Sequence, residues 1–250
     1  MTQTVWTVVY SLVSVYAGGC VKGLTGFGFS LISVGLLVLV APPSEVVPVV
    51  LLMNVLLNLL LVHSIRKEID FGRFLPLAAA GIIGLPVGTY ILLAVDADIL
   101  RMVIGLVTLL SALALLAGYR REIRRERLGS ILVGAAGGVL NASVSISGPP
   151  VVLFLSNLGV GKREFRANIV AYFLCINLAT IPFFIGGGLM TGRVLRTFAL
   201  LVPALALGAL TGARVVQKVS ERNFRHITLV IVIAAAVMAV TAGIRGLSGR

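Results

Sequence analysis

Lys22 is the one formal charge in the first 44 residues. It sits inside Gly18–Phe29 (GGCVKGLTGFGF), a run with five glycines. A second run, Gly137–Pro150 (GGVLNASVSISGPP), places Asn141, Ser143, Ser145 and Ser147 ahead of Gly148 and two prolines in equally apolar sequence. The chemistry open to such residues is the binding of an anion. A lysine offers a compact charge with three N–H donors. Glycines let backbone approach a ligand closely, and a helix that begins within a membrane presents unpaired N–H groups and the positive end of its dipole. Gly23, Thr25, Gly26 and Gly28 in the first run, and Gly148-Pro149-Pro150 as the start of a half-helix in the second, complete the two candidate clusters.

Each feature also has a plainer reading. Lys22 can end a span and extend its ammonium to the headgroups. The serines, two residues apart, cannot all face one way on an ideal helix, and they can simply back-bond to it and bend it. Asn54 and Asn58 occupy one face of a segment near 46–64, and Asn168 and Asn177 lie in the corresponding segment of the second half. These amides should point into a bundle, where helix-to-helix hydrogen bonds or substrate contact would satisfy them. His63 and His226 fall at span ends and read as surface residues.

The elements that must position these groups are membrane helices. Hydrophobic residues make up 58% of the chain and charged ones 12%, outside the range of soluble domains. Charge-free runs at 1–21, 23–44, 46–65, 74–95, 102–119, 129–161, 167–192 and 197–213 reach or approach the ~20 residues that cross a bilayer. The spans read near 4–20, 27–40, 46–64, 73–94 and 99–118, then 129–143, 149–158, 164–186, 194–216 and 224–244. The matching order predicts a duplication, with a repeat over 1–118, a basic linker over 119–128 and a second repeat over 129–250. Gly84-Leu-Pro-Val-Gly88 resembles Gly208-Ala-Leu-Thr-Gly212 at 208 − 84 = 124, and Gly18-Gly19 matches Gly137-Gly138 at 137 − 18 = 119.

Basic residues place loops 65–73, 119–128, 159–166 and 217–225 in the cytoplasm, with 95–98 and 186–192 outside. Corresponding loops then lie on opposite sides, as in an inverted repeat. The expected fold is therefore an all-α polytopic membrane protein of two inverted repeats, about five helical segments each. The first pair in each half is expected to be short or re-entrant. Both termini are expected to face outward, and the first apolar stretch is expected to be retained rather than removed as a signal peptide.

The net charge of +12 is spent on short loops, so topology rather than nucleic-acid binding accounts for it. Cys20 and Cys175 form neither a disulfide framework nor a metal spacing, and no cofactor is expected. The nine acidic residues fall in loops or at span ends, not at the mid-membrane positions that proton-coupled carriers use.

The two glycine runs, together with SISGPPVVLFL and KREFRANIVAYF in the second half, resemble the TauE/SafE family of sulfite exporters over approximately residues 10–245. The resemblance implies transport of sulfite, sulfonates or related sulfur-containing organic anions across the bacterial inner membrane. Export would be favoured by the membrane potential, because one negative charge moved outward down 100 mV gains about 2.3 kcal/mol. The alternatives are another small-anion permease, an ion-coupled uptake carrier, or an intramembrane serine enzyme built on Ser143–Ser147, for which no G-x-S-x-G motif is present. Small-xxx-small patterns permit close helix packing within the chain or in a homodimer.

Overall fold

A computed structural model describes the backbone of residues 2–25, 27–117, 125–215 and 221–248. Among these residues there are no strands. The order is α1 (Thr2–Thr25), α2 (Phe29–Leu37), α3 (Pro43–Ile65), a 3-10 turn at Arg66–Glu68, α4 (Phe71–Ala94) and α5 (Ala97–Ala117). The second half gives α6 (Glu126–Val144), α7 (Gly148–Asn157), α8 (Lys162–Gly186), α9 (Gly192–Val215) and α10 (Glu221–Ser248). In hydrocarbon every backbone N–H and C=O must be satisfied within the segment, which makes helix the default for such apolar runs. Most of the basic linker, residues 119–124, lies outside the described residues.

Among the described residues seven helices, α1, α3, α4, α5, α6, α8 and α9, are long and apolar enough to cross a membrane. This is a multi-pass membrane protein. Helices α2 and α7 are different, with 9 and 10 residues. At 1.5 Å per residue they span about 14–15 Å, half of a ~30 Å hydrocarbon core.

The pair expected to be short or re-entrant in each half is not uniformly short. Only the second member is: α1 has 24 residues and α6 has 19. Glycines in these helices serve close approach instead of unwinding. A Cβ on Gly19 would stand 3.0 Å from the Leu205 carbonyl oxygen of α9, and one on Gly23 would overlap the Ala209 carbonyl. In the other half, a Cβ on Gly138 of α6 would overlap the Gly81 carbonyl of α4. Backbone therefore lies on backbone at both interfaces.

These two interfaces correspond. Helix α1 packs on α9 and α6 packs on α4, so each half's first helix is paired with the other half's fourth. The fifth helices, α5 and α10, pack on each other, as do the third, α3 and α8. Exchanging the halves leaves this pattern unchanged. Two apolar clusters follow it, one around α1, α2 and α9 and the other around α4, α7 and α8, with α3 contributing to both.

Because these contacts have no room for a side chain, Gly138→Val is expected to destabilise the protein by roughly 3 kcal/mol or more, seen as a lower melting temperature in detergent. Gly161→Ala, at φ −62 with nothing within 4 Å, should leave it unchanged.

Candidate functional site

The chain breaks twice, and the breaks meet. After α1 the backbone turns through Gly28, whose φ of 90 lies in the left-handed region open to glycine, and α2 begins at Phe29. After α6 it turns through Ser145, the one described non-glycine residue with positive φ, at 55. The Ser145 N–H closes the last turn of α6 on the Asn141 carbonyl at 2.9 Å. Helix α7 then starts with Gly148 followed by two prolines, so Gly148 alone among its first three positions carries an N–H.

One cavity lies between the breaks. The first half lines it with Lys22 of α1, Phe27, Gly28, Phe29, Ser30 and Leu31 around the break, and Asn54 of α3. The second half contributes Asn141, Ser145, Ile146, Ser147 and Gly148, with Phe173 and Asn177 of α8. Asn54 is 54 − 43 = 11 residues into α3 and Asn177 is 186 − 177 = 9 residues from the end of α8. Both are thus about 14–17 Å along their helices, near mid-depth. The volume open to the centre of a water molecule is about 20 Å³, enough for one water.

Lys22 is 3% exposed. Its Nζ donates to Asn54 Oδ1 at 3.1 Å and lies 5.6 Å from the centroid of the Phe173 ring. Among the described residues no carboxylate lies within ion-pair distance of it. Asn54 is itself held, its Nδ2 donating to Ser30 Oγ at 2.8 Å and to the Val50 carbonyl at 3.2 Å. A burial of this kind is costly, and a charge paired only with neutral groups keeps capacity for an anion.

The second break is fastened by a relay. Ser147 Oγ donates to Asn141 Oδ1 at 3.2 Å, Asn141 Nδ2 donates to Thr180 Oγ1 at 3.1 Å, and that hydroxyl donates to the Ile176 carbonyl at 2.7 Å. Asn141 holds the place in its half that Lys22 holds in the first, at 141 − 22 = 119. Among the described residues two polar atoms at the cavity have no partner, Ser145 Oγ and Asn177 Oδ1, on residues each 2% exposed.

The structure thus gathers Lys22, Gly28, Asn54, Asn141, Ser145, Ser147 and Gly148 at one cavity. Others among the predicted site residues stand apart. Gly23 packs on α9, and Ser143 back-bonds to the Val139 carbonyl at 2.7 Å. Asn58 is fully buried with neither side-chain atom partnered, but it does not line the cavity. Asn168 does not line the cavity; its Oδ1 accepts from the Asp70 N–H at 3.1 Å at the start of α4. Gly26 lies outside the described residues, as does the side chain of Thr25. His63 is exposed at the end of α3. Sequence reasoning missed Phe173 and Thr180, whose roles depend on partners 151 and 39 residues away (173 − 22 and 180 − 141); no local signal marks them.

Ion pairs lie near both ends of α3. Arg73 at the start of α4 reaches Glu126 of α6 at 2.8 Å, Asp70 at 3.4 Å and Glu164 of α8. Arg193 at the start of α9 reaches Glu45 of α3 at 2.8 Å. Glu45 and Glu164 are 164 − 45 = 119 apart, and Arg73 and Arg193 are 193 − 73 = 120 apart. The pairs are therefore counterparts, separated by the length of α3, about 34 Å for 23 residues.

The profile of the family described as "Sulfite exporter TauE/SafE" matches residues 10–239. A protein of Cupriavidus necator named "Probable sulfite/organosulfonate exporter TauE" is 25% identical over 224 residues, covering 87% of each chain. No solved structure matches the chain.

Since Asn54 alone among the described residues gives the ammonium a hydrogen bond, Asn54→Leu is expected to cost about 2–3 kcal/mol. Adding Lys22→Met should recover most of that loss. Unfolding of the two single variants and the double variant in detergent measures the coupling.

Proposed function

The chain belongs to the sulfite exporter TauE/SafE family, and on that premise we propose that it carries a small sulfur oxyanion, sulfite or an organosulfonate, across the membrane. The observation that carries the reading is Lys22, buried at mid-depth beside both helix breaks with, among the described residues, an amide and a ring as its partners. An anion oxygen on Nζ repays the desolvation of that charge. The Gly148 N–H, the first N–H groups of α2 and the free Ser145 hydroxyl supply further donors around it. The name borne by the Cupriavidus necator relative supports a sulfur anion in preference to others.

Transport proceeds by alternating access. The empty cavity has space for about one water, so a sulfur oxyanion enters only after one end opens. Support comes from the exchange-invariant packing of the halves and from the matched ion pairs at the two ends. In the proposed orientation the Arg73 end faces the cytoplasm of a bacterial inner membrane, following the basic loops. The two repeats are inverted, and α2 and α7 point their N-termini at the cavity from opposite sides. Export needs no coupling ion, because potential drives an anion outward.

Two measurements test this. Sulfite and methanesulfonate are expected to raise the melting temperature of the detergent-purified protein by several degrees, with neutral controls inert and the shift lost in Lys22→Met. In proteoliposomes, flux should follow an imposed voltage; strict dependence on a proton gradient with no voltage response overturns uncoupled export. For the ends, Ile146→Cys supplies a cavity thiol for an impermeant maleimide. Arg73→Gln should raise its labelling several-fold from the Arg73 side, and Arg193→Gln from the other side.

A further inference from the structure

The two neighbours of Lys22 differ in chemistry but match in place. Asn54 of α3 and Phe173 of α8 are 173 − 54 = 119 residues apart, the offset that also relates Gly18 to Gly137 and Phe29 to Gly148. The ammonium is therefore held between corresponding positions of the two central helices, α3 and α8. On one side it meets an amide oxygen at 3.1 Å, and on the other an aromatic face at 5.6 Å.

The ring also touches the second break. A Cβ built on Gly148 would meet Phe173 Cζ first, at 3.7 Å. The ring thus lies against both the charge contributed by the first half and the start of α7 in the second. It is buried and packs edge-on against Tyr172 at 5.8 Å, and Tyr172 is anchored by a hydrogen bond to the Gly134 carbonyl at 3.3 Å.

An aromatic face is electron-rich and attracts a cation without carrying a charge. It can therefore stabilise the lysine in an empty site and give way to an anion, whereas a carboxylate there would compete with substrate. With the ring in this position there is no space for a three-oxygen head group, since the remaining volume is that of one water. Between Lys22 and Gly148 the Phe173 ring is a bulky group held by no hydrogen bond of its own, so it can turn without breaking one.

We propose that Phe173 is the specificity-determining residue of this site. Its ring occupies the seat beside Lys22 in the empty protein, turns aside for the sulfur oxyanion, and then limits the bulk of whatever substituent the anion carries. Sulfite and small alkanesulfonates fit beneath it, and aryl sulfonates do not. This rests on the anion site proposed above and names how that site sorts its substrates.

The test compares binding of sulfite, methanesulfonate and benzenesulfonate to the full-length protein in detergent, by calorimetry, for the wild type and for Phe173→Ala, Phe173→Leu and Phe173→Tyr. In the alanine and leucine variants the affinity ratio of benzenesulfonate to sulfite is expected to rise at least tenfold. Phe173→Tyr should restore the wild-type preference. A purely structural role would weaken all three anions together and leave the ratio fixed. Wild-type sulfite binding with ratios that stay within twofold across the variants overturns the inference and leaves the anion site standing. Failure of the wild type to bind any of the three removes the site itself, and this inference with it.

Discussion

One ammonium held out of water without a carboxylate constrains everything around it. A charge in so apolar a setting is tolerated only where neutral dipoles surround it in fixed positions. That requirement explains why Asn54 is itself bonded to Ser30 and to its own helix. It also explains why both chain breaks converge here: the breaks free backbone donors, and donors without partners belong only beside a ligand or a polar cavity. The long helices contribute mainly by holding α2 and α7 against that point.

The halves are interlocked more than they are adjoined. Each first helix lies on the other half's fourth with no space for a side chain, and the fifth helices pair directly. Such backbone contact is driven by packing, since hydrocarbon gives helices no hydrophobic reason to associate. It makes each glycine face a rigid bearing, and the breaks at Gly28 and Ser145 are where the chain can bend.

Much of this was legible in the residues. Charge-free runs gave the helices to within a few residues, because bilayer thickness fixes span length and charge is excluded from it. The breaks were legible at Gly28 and at Ser145–Gly148, where glycine or proline leaves no helical continuation. The glycines at 18, 19, 23, 137 and 138 misled, because a glycine that permits unwinding and one that permits contact look alike until the partner helix is known. Asn168 is ambiguous for a related reason: burial of an amide reveals that it needs a partner, but not whether that partner is substrate or the Asp70 backbone. Phe173 was invisible, since its meaning comes from a lysine in the other half.

The two end clasps are counterparts in sequence but unequal in strength. Among the described residues Arg73 gathers three carboxylates and is 31% exposed, whereas Arg193 holds one and is 73% exposed. Solvent and salt screen the second far more than the first. A carrier that obeys the proposed cycle would therefore dwell unequally on its two sides. Its two faces would then saturate at different substrate concentrations, with electrolyte at the more exposed clasp tuning the difference, while the electrochemical gradient alone sets the direction of net flow.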